Sequence, residues 1–69
     1  MSIGERLKLL RKQKQWSQND LAIVSFVSKK TLAEHENNRH LPNIYALYRY
    51  AVAFGISLSD LLQGVTLDT

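Results

Sequence analysis

A pattern that occurs twice between Ser17 and Glu36 constrains this chain more than anything else in it. Ser17 is followed by Asp20 and Leu21, and Ser28 by Leu32. A serine at a helix N-cap accepts a hydrogen bond from a backbone N–H that the helix itself cannot satisfy, and Asp20, three residues on, can return one in a capping box. Trp16 and Val27 stand just before the caps, where they can staple onto Leu21 and Leu32 one turn later. The two starts are eleven positions apart. That leaves room for one short helix and a turn of Ser25-Phe26-Val27 before the next helix begins. Two short helices meeting across a tight turn are therefore built into this stretch.

The same grammar recurs elsewhere. Ser2 with Glu5, Asn43 with Leu47, and Ser57 with Asp60 and Leu61 mark three more helix starts. The spacing predicts helices over 3–14, 18–24, 29–37, 44–54 and from residue 58 onward. Gly55 supplies the left-handed stop of the fourth, and Pro42 closes the one clear loop, residues 37–42. The buried stripes are Ile3, Leu7, Leu10 and the stem of Lys14 on the first helix, and Leu21, Ala22 and Val24 on the second. On the fourth they are Ile44, Leu47, Tyr50, Ala51 and Phe54. The fold class that follows is all-α, a compact five-helix domain over 1–63 with a short C-terminal tail over 64–69. Caps and apolar pattern agree at nearly every start, which is what makes a sequence specify one structure.

With 69 residues and no cysteine, neither a disulfide framework nor a thiolate metal site can supplement a small apolar core. No apolar run approaches the ~18 residues of a membrane span, and the first residues lack a signal peptide's basic and apolar regions. A cytoplasmic chain without membrane attachment is expected. Charge is uneven: residues 1–40 carry eight Lys/Arg against four Asp/Glu, and residues 41–69 one against two. This suggests a basic face for a polyanion and a second end free for other work. His35 and His40 are five apart, off any shared helical face and without cysteine or paired carboxylates, so no metal is expected. No catalytic pair and no Gly-rich phosphate loop is present. An enzyme is not expected, nor are a cofactor or a small-molecule ligand.

At this point the chain resembles the phage repressor and Cro-like, or Xre-type, helix-turn-helix domains. The residues that carry the likeness are Ile3-Gly-Glu-Arg-Leu7, Leu10-Arg11-Lys12, Trp16 through Ala22, Val27-Ser28, Thr31-Leu32 and Glu36-Asn37. They continue with Pro42, Leu47, Ala51, Ala53 and Gly55 through Leu62. The resemblance implies a lambda-repressor-like fold with its helix-turn-helix at 17–37 and a sequence-specific transcriptional regulator that binds double-stranded DNA. It also implies a dimeric repressor of phage or mobile-element type on a palindromic operator. Carried over residue by residue, Gln18 would bind a phosphate, and Ser28, Lys29, Lys30, Ala33, Glu34 and Asn37 would form the reading face of the third helix. Arg11 and Glu36 would make a partly buried salt bridge between the first and third helices. Two positions depart from the family. Phe26 stands where the turn commonly has Gly and needs positive φ, so an adjusted or strained turn is expected, and Asn38 replaces a frequent Gly.

The residues themselves lean the same way. Lys29 and Lys30 would sit at a helix N-terminus, where each cation opposes the macrodipole by ~0.3–1 kcal/mol, so stability does not account for them and phosphate or guanine contacts do. Glu34 reads equally as an i, i+4 partner of Lys30 or as an acceptor from cytosine. Ala33 offers a methyl to thymine or a close approach. Arg39 and His40 would touch the sugar-phosphate backbone, which positions without reading sequence. Tyr45, Tyr48, Leu58, Leu62, Val65 and Leu67 concentrate apolar surface in the non-basic part, a candidate homodimer interface. The alternatives within reach are a restriction-modification controller, an antitoxin-like autorepressor, or a protein-interaction module that has lost DNA binding.

Overall fold

A computed structural model describes residues 1–66. Among them every regular element is an α-helix: α1 (Ile3–Gln13), α2 (Gln18–Ser25), α3 (Lys29–Glu36), α4 (Ile44–Phe54) and α5 (Leu58–Leu61). All five begin where the caps place them. Ser2, Ser17, Ser28, Asn43 and Ser57 each accept from the N–H three residues on. The Ser2/Glu5 and Ser17/Asp20 boxes close in both directions. In the first box the Ser2 backbone N–H, more than its hydroxyl, holds the Glu5 carboxyl below the usual glutamate range. α1 and α3 end one residue earlier than the sequence pattern suggests, with Lys14 and Asn37 as their caps.

The core is a single cluster of Ile3, Leu7, Leu21, Ala22, Val27, Leu32, Tyr50, Ala51, Phe54 and Leu61. Trp16 stacks on Phe54 with ring centroids 5.9 Å apart and sits against this cluster, so the N′ residue of α2 serves the core as a whole. Three expected core positions lie outside. Val24 is 43% and Ile44 56% exposed, because α4 turns its Tyr50-Ala51-Phe54 side inward and α2 packs through Leu21, Ala22 and Ser25. Lys14 is exposed, with its ammonium 5.9 Å above the Trp16 ring. Residues 64–66 are tied to the chain's start: the Met1 ammonium donates to the Gly64 carbonyl at 3.1 Å, and the Thr66 N–H to the Met1 carbonyl at 3.0 Å.

Two close approaches aim α3. Gly4 is buried where α1 meets the end of α3, and a Cβ there would lie 2.5 Å from the Glu36 carbonyl oxygen and 2.7 Å from that of His35. Only glycine fits this crossing without shifting backbone. Just beyond α3, Asn38 adopts φ 58°. Its Oδ1 accepts from the Gly4 N–H at 3.1 Å and its Nδ2 donates to Ser2 Oγ at 3.0 Å. The residue that ends α3 thus satisfies a free N–H at the start of α1.

The turn between α2 and α3 is not adjusted to suit Phe26. Phe26 takes the left-handed conformation itself, φ 59° and ψ 31°, with the side chain 84% exposed. For an L-residue with a bulky side chain that conformation costs ~1–2 kcal/mol, and an exposed ring recovers little of it by burial. Phe26→Gly should therefore raise the stability of the chain by about 1 kcal/mol in denaturant titration, after glycine's greater unfolded-state entropy is subtracted.

Candidate nucleic-acid interface

Glu36, at the end of α3, is wholly buried beneath an interhelical link. Arg11 from α1 meets it fork to fork, Nε on Oε2 at 2.7 Å and Nη2 on Oε1 at 3.0 Å. The third guanidinium nitrogen donates to the Trp16 carbonyl at 2.9 Å. Gln18 Nε2 donates to Glu36 Oε1 at 3.0 Å. No buried side-chain polar atom among the described residues lacks a partner. Gln18 was expected on a phosphate; in the free chain its amide is turned toward Glu36, which leaves one side-chain N–H and the start of α2 for such a contact. Arg6 is also taken up internally, donating to the carbonyls of Leu61 and Asp60. Two of the basic residues counted toward a cationic face are therefore structural.

α3 presents two sides. Leu32, His35 and Glu36 are buried. On the outer side Lys30, Ala33, Glu34, Asn37 and Arg39 line one shallow depression of about 240 Å³. Lys29 at the first position of α3 is exposed. Ser28 stands apart from the depression. Its hydroxyl accepts from the Thr31 N–H at 3.2 Å and donates to Thr31 Oγ1 at 2.9 Å, so its first task is the cap. Glu34 pairs with His40 at 3.5 Å when that ring is protonated; the i, i+4 pair with Lys30 is not formed.

The link that sequence reading missed lies behind this face. His35 Nδ1 and the Tyr50 hydroxyl are 2.7 Å apart, with the rings edge to face, which fixes α3 to α4. Burial pushes the Tyr50 hydroxyl well above its ordinary range, with the Glu36 carboxylate adding to the effect, so it stays protonated and can donate. Burial likewise lowers His35 below 6.5, against an opposing pull from Glu34 and with a small push from His40. Both partners are aromatic residues on amphipathic stripes, and nothing local pairs residues fifteen apart.

The five candidate dimer residues among those described line different surfaces. Tyr45 lines a groove with Phe26, Ser28, Thr31 and Arg49. Leu62 and Val65 line a separate apolar cleft of about 210 Å³ with Ile3, Leu41, Pro42 and Leu47. Tyr48 belongs with Phe26, Leu58 is half-buried against the core, and Leu67 lies outside the described residues. No helix among the described residues is long and apolar enough to cross a membrane.

A family model described as a helix-turn-helix domain matches residues 4–67. The chain belongs to the helix-turn-helix domain family. The domain is 34% identical over 67 residues to the immunity repressor protein of Bacillus phage phi105, covering 97% of this chain and 46% of that protein. It is 30% identical over 69 residues to the transcriptional activator BcrR of Enterococcus faecalis, covering all of this chain and 34% of the relative. The chain thus spans half or less of the length of these relatives. Among solved structures it is similar to SinR, a master regulator for biofilm formation crystallised with DNA. That match has a TM-score of 0.81 and 34% identity, over 87% of this chain and 97% of the other.

Two expectations follow for the link behind α3. Glu36→Ala leaves the Arg11 guanidinium buried without its carboxylate and should cost about 3–5 kcal/mol in equilibrium unfolding. For His35 the folded-state value is lowered, so the unfolded chain binds the proton first as pH falls. The contribution of His35 is complete above pH 6.5 and declines below it toward the folded-state value. A thermal melt series between pH 7.5 and 5 should show that extra loss in the parent chain and its absence in His35→Gln, a difference of less than one proton in the linkage slope.

Proposed function

We propose that this chain is a sequence-specific, DNA-binding transcriptional regulator whose α3 lies in the major groove. The observation that carries the reading is the outer side of α3: Lys30, Ala33, Glu34, Asn37 and Arg39 share one open depression, with Lys29 exposed at the helix start. These side chains mix donors, an acceptor and a methyl-sized gap, the set needed to tell base edges apart. Lys29, Arg39 and His40 suit phosphates, and Gln18 joins them if its amide leaves Glu36 or uses its second N–H. The DNA-bound state of SinR and the repressor name of the phage relative support the same reading.

Repression is the simpler mode, since it needs only that an occupied operator exclude polymerase. A two-fold dimer would set two copies of α3 about 34 Å apart on a palindromic site. The apolar cleft of Ile3, Leu41, Pro42, Leu47, Leu62 and Val65 is the better of the two candidate surfaces, because it carries no charge, whereas Arg49 lines the other. The reading entails a cytoplasmic protein acting on the genome.

Selection from a random duplex pool would give the site and its symmetry together. On the selected site, Lys29→Ala with Lys30→Ala should weaken binding at every salt concentration. It should also flatten the slope of log affinity against log salt by roughly 0.9, the amount for the one phosphate that Lys29 no longer neutralises. Unchanged affinity for every duplex would remove α3 from the groove.

A further inference from the structure

The side of the molecule formed by α2 and α4 has no role in the reading above, yet it exposes several large apolar side chains. Val24, Phe26, Tyr48 and Val52 are all exposed there. Val24, Phe26, Tyr48, Arg49 and Val52 line a groove of about 160 Å³ between the two helices. A space of ~150 Å³ holds a molecule the size of benzene, so the groove has room for one aliphatic side chain. At its edge stands Phe26, held in a left-handed conformation that glycine would adopt without cost. An exposed aromatic ring kept where the backbone disfavours it points to something outside the fold.

Charge narrows what that something is. Residues 21–25 carry no charge, and α4 carries only Arg49. Among the described residues the guanidinium makes one bond, a long one from Nη1 to the Phe26 carbonyl at 3.4 Å, so most of its donors have no partner there. A second copy of the chain on a two-fold axis would bring two Arg49 side chains together with no carboxylate on the face to separate them. Nucleic acid is a poor fit, because one cation among aromatic and aliphatic side chains matches few phosphates. A carboxylate on an otherwise apolar partner satisfies both features. The groove shares no lining residue with the α3 depression, and Phe26 also borders Ser28 and Thr31 in the neighbouring groove.

We propose that the α2–α4 groove is a docking site for an acidic amphipathic helix of another protein. An aliphatic side chain of that helix would enter between Phe26, Tyr48 and Val52, and a carboxylate one turn away would pair with Arg49. Such a contact lets a partner act on the regulator beyond simple occupancy of a site.

The test uses the full chain without DNA, so its failure is separable from failure of the DNA reading. A displayed library of helical peptides, randomised on one face, is selected on the parent chain and counter-selected on Phe26→Gly and on Arg49→Glu. Phe26→Gly is expected to fold better than the parent, so weaker binding there does not reflect unfolding. Enriched peptides should carry Glu or Asp beside Leu, Ile or Met at i, i+3 or i+4 spacing, and should shift the amide resonances of Phe26, Tyr48, Arg49 and Val52. Each substitution should weaken them roughly tenfold or more. Peptides without acidic enrichment, peptides that bind both variants as well as the parent, or shifts confined to other surfaces would overturn the proposal. So would self-association that buries Tyr48, or a loss of duplex binding in both variants without any peptide binding.

Discussion

The position of α3 depends on the buried carboxylate of Glu36. Arg11 from α1 and Gln18 from α2 both converge on it, and Arg11 also holds the Trp16 carbonyl where the chain passes from α1 to α2. With side-chain exposures of 11% and 0%, the ion pair loses most of its hydration. Such a pair contributes little net stability over an apolar substitute, because desolvation offsets the attraction. What it does supply is geometry. Two planar forks admit one alignment, and that alignment sets the angle of α3 against the two helices before it.

The rest of the packing locks that angle from other sides. Gly4 lets α1 approach the carbonyls at the end of α3, and Asn38 closes the crossing with bonds to Gly4 and Ser2. His35 and Tyr50 fasten the middle of α3 to α4. Leu32, fully buried, fills the space between these polar ties. Every tie lies on the inner side of the helix, so the outer side is free of structural duty at Lys29, Lys30, Ala33 and Asn37. A helix held this firmly from behind can offer side chains to a partner without first having to order its backbone.

What can be read from sequence is what is local. A cap and its N–H lie three residues apart, so each of the five helix starts is written in consecutive residues. Burial is less legible where it depends on how helices meet: Val24 and Ile44 fit the apolar period of their helices yet face outward. The polar ties are invisible for the same reason. Gln18 looks like a free N-terminal glutamine and His35 like a rim residue, because their partners, Glu36 and Tyr50, are eighteen and fifteen positions away. Arg11 with Glu36 is found through likeness to a family, not through any rule that pairs residues at that distance. Gly4 carries a local clue, since a glycine in the first turn of a helix suggests a close approach, but not what approaches.

Three non-glycine residues adopt positive φ among the described residues, each just beyond a helix: Gln15, Phe26 and Asn38. They are not equivalent. Asn38 tolerates the conformation by its chemistry and converts it into two side-chain bonds across the α1–α3 crossing. Gln15 has a flexible polar side chain and its N–H closes the end of α1 on the Lys12 carbonyl. Phe26 has neither excuse. Its ring is in solvent, and the one bond near it, from Arg49, goes to its carbonyl and would be open to glycine as well. A sequence that agrees with its fold at every helix start departs from it here, in the turn that joins the two helices on which the proposed reading of DNA rests. Where local and global preferences disagree without compensation inside the fold, the compensation is to be sought in what the surface meets.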